Sequence, residues 1–151
     1  MTTWRAFALN AGRVAPPVIG WIAAVAGMVV TAAMGLFCAR RLRSGDRLVV
    51  GLAWLGLAAA NNAFTWHAHV HQSLLLVPPL FWVIGLRPEV RMPVEALCLL
   101  LAGGFLAAAF TTSVGLAHDL LGMGLLAALA TTAAGCAVAI HRRRRLPAAA
   151  G

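Results

Sequence analysis

Three histidines alternate at positions 67, 69 and 71 in the segment FTWHAHVHQSLLLVPPL, which runs from Phe64 to Leu80. Imidazole titrates near neutral pH, ligates metals through either ring nitrogen, and donates hydrogen bonds to phosphate oxygens. In an extended segment the three rings point to one side, because side chains alternate with period two. In a helix His67 and His71 share a face one turn apart. Either geometry can place two neutral imidazoles on a zinc or copper ion, with His118 or Asp119 of GLAHDLLG completing the shell. Haem would need His118 opposite one member of the cluster, across a helical bundle. The plainer alternative is an interfacial turn. Trp66 would then be a membrane-interface anchor, like Trp4, Trp21, Trp54 and Trp82, and the histidines would sit in the wet headgroup zone.

The elements that hold these residues follow from composition. The chain has 151 residues, 62% of them hydrophobic, and a mean hydropathy of +0.87. That is too apolar for an ordinary soluble domain. Several apolar runs approach the ~20 residues needed to cross ~30 Å of hydrocarbon. We therefore read one integral membrane domain, residues 1–151, folded as an all-α polytopic transmembrane helix bundle. The net charge of +8 is not a nucleic-acid signal, since most of the twelve basic residues, all arginines, cluster between or after apolar runs.

The spacing predicts about five spans: 18–39, 48–65, 69–86, 93–112 and 115–140. The stretch 48–86 is too long for one span and too short for three, so it reads as a tight hairpin turning at the histidines. Pro78-Pro79 are expected to kink its return leg. Arginines favour the cytoplasmic side of short loops. Five spans put RRLRSGDR, RPEVR and the Arg-rich tail 141–151 on that side, with a cytoplasmic C-terminus and a bacterial cell membrane as the setting. The opposite loops, around 67–72 and 111–119, hold no Lys or Arg. Only Arg5 and Arg13 fall on the wrong side. His67, His69, His71, His118 and Asp119 then emerge together on the extracytoplasmic face, with Asn61 and Asn62 just below. Asp46, Glu89 and Glu95 fall among arginines and read as surface pairing.

Cys38, Cys98 and Cys136 lie near cytoplasmic span ends and read as packing residues rather than disulfide partners. MTTWRAFALNAGR precedes an apolar stretch as a signal peptide would, but no small-residue cleavage site follows and the stretch is long for one. Phe37 before Cys38 excludes a lipoprotein box. GGFLAAAF and the alanine-rich last span offer small faces for close helix packing. Those faces would also suit a non-catalytic accessory subunit of a larger membrane complex.

TWHAHVHQSLLLVPPLFWVI resembles a late segment of GT-C class membrane glycosyltransferases, which use polyprenyl-phosphate sugars. In that class a late extracytoplasmic loop often carries a His-x-His-Glu type motif before an apolar span with prolines; His69-Val70-His71-Gln72 is similar to it. TTWRAFALNAG likewise resembles the stretch before a span in bacterial mannosyl- and arabinofuranosyl-transferase-like families. The resemblance spans roughly the whole chain, as the C-terminal part of such an enzyme. It implies binding of a polyprenyl-phosphate-linked sugar by His67, His69, His71, Gln72, Asn62 and His118, with no metal or cofactor. Protonated imidazoles would offset charge on the leaving phosphate, and Asn62 would orient one ring. Two departures stand out. Gln72 replaces the acidic residue and cannot act as a base, and the large carboxylate-bearing loop after the first span is missing. Asp119 is the extracytoplasmic carboxylate left to take an acceptor proton. The resemblance thus implies a partial or split enzyme, working with a second membrane subunit that carries the missing N-terminal half.

Overall fold

The computed structural model describes residues 3–12, 16–64, 70–86 and 115–145. Among these every regular element is helical. Five α-helices, α1 (Trp4–Ala11), α2 (Pro17–Ala39), α3 (Arg47–Phe64), α4 (Val77–Leu86) and α5 (Gly115–Arg145), are joined by a 3₁₀ segment, Val70–Leu76, directly before α4. Among the described residues three stretches are long and apolar enough to cross a membrane: Pro17–Ala39, Arg47–Phe64 and Gly122–Arg143 within α5. At 1.5 Å per residue α2 is about 35 Å long, enough for a bilayer core. The apolar return leg, Leu74–Leu86, falls below spanning length. The expected span at 93–112 and the hairpin turn at 65–69 lie outside the described residues.

Local chemistry sets the helix boundaries. Thr3 caps α1, its hydroxyl accepting from the Ala6 amide at 3.3 Å. Pro17 opens α2, where a missing N–H costs nothing because first-turn amides have no intrahelical partner. Asp46 opens α3, its Oδ1 accepting from the Leu48 amide at 2.9 Å and the Val49 amide at 3.4 Å. Pro78 and Pro79 fall in the first turn of α4. The break expected from them is therefore a change of helix type, 3₁₀ to α, rather than a bend within one helix. At the far end α5 continues through His141–Arg145, so the first residues of the expected tail are helical.

The helices close on small residues. A β-carbon added at Gly35 would lie 3.2 Å from Ala60 Cβ, and one at Gly51 would lie 2.9 Å from the Trp82 ring. At Gly56 it would meet Cys38 Sγ at 2.7 Å and Cys136 Cβ at 2.9 Å, so α2, α3 and α5 converge there. The larger core joins α3, the 3₁₀ segment, α4 and α5 through Leu55, Leu76, Leu80, Leu125 and Leu129. Both Cys38 and Cys136 are buried and unbridged. The helix α1 folds back antiparallel along α2. Gly20 faces Ala8 and Ala11, while Gly27 lies under the Trp4 ring. The Trp4 indole donates to Thr31 Oγ1 at 3.1 Å, and Thr31 donates to the Gly27 carbonyl at 2.8 Å.

Register follows from these contacts. Gly51 meets Trp82 and Val83 near one end of α3, and Asn62 meets Gln72 near the other. Helix α3 and the leg formed by the 3₁₀ segment and α4 thus run antiparallel. The Arg143 side chain donates to Asp46, which brings the C-terminal turns of α5 to the loop between α2 and α3. Two of the arginine clusters therefore share one end of the bundle.

Candidate functional site

The segment that carries the histidines is anchored at its downstream side. Asn62, only 2% exposed, donates from Nδ2 to the backbone carbonyl of Gln72 at 3.3 Å. A buried amide is costly unless bonded, so this contact ties the 3₁₀ segment to the last turn of α3. The amide expected to orient an imidazole thus spends one donor on the backbone. Gln72 is half-buried, and His71 precedes it in the same 3₁₀ turn. His67 and His69 lie outside the described residues.

His118 and Asp119 sit on the first turns of α5. That helix has 31 residues against 18 for α3. With Cys136 level with Gly56, the antiparallel register puts His118 about 18 Å farther from the arginine end than Asn62, at 1.5 Å per residue. Asn62 and Gln72 are brought together; residues 118 and 119 ride on an overhang beyond them. Among the described residues no group of three or more His, Cys, Asp or Glu side chains could hold a metal ion.

A groove that the sequence reading missed runs between α2 and α3. It has a volume of about 280 Å³. Thr31, Gly35 and Leu36 line it from α2, and Leu57, Asn61 and Phe64 from α3. It exists because Gly35 and Ala60 carry too little side chain to fill the space beside their contact. Its walls are mostly apolar, and exposed Leu36 and Phe64 flank its mouth. Its Leu36–Leu57 end points toward the arginines. Its other end, at Thr31, Asn61 and Phe64, stops where the histidine segment begins. The signal in the sequence was the pairing of small residues on two successive spans, at 35 and 60, which becomes visible only once their register is known.

Electrostatics are concentrated at the opposite end. The Asp46 carboxyl is held below the usual range, first by the hydrogen bond from Arg143; burial opposes this, and the Leu48 and Val49 amides add to the lowering. Comparisons with protein-family models, curated proteins and solved structures found no match.

Proposed function

We propose that the protein handles a polyprenyl-phosphate-linked sugar in the manner of a GT-C type glycosyltransferase component, embedded in a bacterial cell membrane with its arginine end cytoplasmic. The α2–α3 groove takes part of the prenyl chain. The His67–Gln72 segment takes the phosphate at the extracytoplasmic interface. The observation that carries this reading is the continuity between the two: the apolar groove ends at Asn61 and Phe64, and the chain passes from Phe64 straight into the histidines. A lipid anchored in the groove would present its phosphate where imidazoles can donate charge-assisted hydrogen bonds. Asn62 supports this role indirectly, by pinning the carbonyl of Gln72. Asp119, on the overhang of α5, is the candidate base for an acceptor hydroxyl, and a second membrane subunit would complete the enzyme.

A photoreactive polyprenyl-phosphate-mannose analogue added to the detergent-purified chain tests the reading. Crosslinks are expected at α2 and α3 around Gly35 and Asn61. Gly35→Leu, which fills the groove, should abolish them. His69→Ala with His71→Ala should weaken capture of the phosphate lipid, while leaving capture of the matching prenol intact. Labelling that ignores both changes refutes the proposal. An absorption spectrum and metal analysis of the same sample check the rival, zinc, copper or haem at His67, His69, His71 and His118.

A further inference from the structure

The arginine end of the bundle carries chemistry that the groove and the histidines do not use. Six arginines meet there from two elements far apart in sequence: Arg40, Arg41, Arg43 and Arg47 from the α2–α3 connection, and Arg142 and Arg143 from α5. Asp46 alone offsets them among the described residues, and it is occupied by Arg143 and by the α3 cap. Arg40, Arg43, Arg47 and Arg142 are exposed. The Arg41 guanidinium lies over the Phe37 ring, 5.2 Å from its centroid, and its buried Nε–H meets no acceptor. Exposed Leu36 and Leu42 border the same patch.

We propose that this end is a binding site for the headgroup of an anionic phospholipid. Charge complementarity selects an anion, because the patch is basic and Asp46, its one carboxylate among the described residues, is already engaged. Arginine, used here to the exclusion of lysine, matches phosphate oxygens through a planar two-pronged donor set. The bordering leucines select a lipid over a free anion: acyl chains can run along Leu36 and Leu42 while the phosphodiester stays among the guanidinium groups. The Asp46–Arg143 pair has a definite part, holding the two arginine-bearing segments together so that one headgroup can reach both. This site lies at the arginine end and shares Leu36 with the groove, but its arginines take no part in the polyprenyl reading.

The test uses the full chain in nanodiscs of phosphatidylcholine, with and without phosphatidylglycerol, followed by native mass spectrometry of retained lipid. Phosphatidylglycerol is expected to be retained in preference to phosphatidylcholine. Arg43→Gln with Arg47→Gln should cut that retention by about fivefold per arginine removed. Arg43→Lys with Arg47→Lys, which keeps the charge but loses the planar fork, should fall between. Equal retention of the two lipids by the unaltered chain overturns the proposal without reference to any variant. So does retention unchanged by the glutamine pair. Displacement of the lipid by inorganic phosphate would assign the site to the free anion and overturn the lipid assignment.

Discussion

Gly56 is the point at which the packing can be tested most sharply. A methyl group there would sit 2.7 Å from Cys38 Sγ and 2.9 Å from Cys136 Cβ, both well inside van der Waals contact. The thiol is the end of a short side chain and can rotate, but Cys136 Cβ moves only if α5 moves. Overpacking of a filled core typically costs about 1–3 kcal/mol. Against this, alanine gains roughly 0.8–1 kcal/mol over glycine in a helix interior. Gly135 separates the two effects, since it is exposed on α5 and an added methyl there meets nothing within 4 Å. Gly135→Ala takes the helix gain alone. Gly56→Ala takes the gain and the clash together. The two variants should therefore differ by about 1–3 kcal/mol, the whole of the steric cost. Cys38→Ala added to Gly56→Ala should recover part of it, because it removes the nearer of the two atoms. Reversible unfolding in mixed micelles, followed by circular dichroism, reads the difference. Equal effects at 56 and 135 would refute the three-helix convergence at Gly56.

Two further outcomes are expected. Asp46 has its carboxyl pKa depressed in the folded chain, so its contribution to stability is present above the ordinary carboxylate range and fades as pH falls through the lowered value. Asp46→Asn keeps an acceptor for the α3 cap but loses the pair with Arg143, and should flatten this acid dependence at a cost of about 0.2–1 kcal/mol near neutral pH; a melt series across acidic pH checks it. Single cysteines at 43 and 142, in a background without the native cysteines, should react with an impermeant maleimide from the same side of the membrane, and one at 119 from the other. Labelling of 43 and 142 from opposite sides would break the pairing of the two ends that the Asp46–Arg143 contact describes.

Much of the architecture was legible in local pattern. An apolar run between Pro17 and Arg40 can only be a helix long enough to span, because backbone polar groups must pair within the segment in hydrocarbon. The same holds for 47–64 and for most of α5, and the observed helices match the expected 18–39, 48–65 and 115–140 within a residue or two except at Arg145. Helix α1 and its return along α2 were not legible, because eight residues with one indole contain no sign of the Thr31 hydroxyl that receives it. Pro78 and Pro79 announced a break but not its form, since proline is as compatible with a first helical turn as with a kink.

The sequence by itself determined the class of solvent this chain is built for and its three long apolar helices, α2, α3 and α5. Hydrophobic length and prolines act over a few residues and can be read there. Tertiary structure alone decided that Gly35 and Ala60 open a groove, that Asn62 binds the Gln72 carbonyl, and that Asp46 joins Arg143 across 97 positions. Such relations depend on helix register, and register is set by which small and large side chains interlock once distant segments have met.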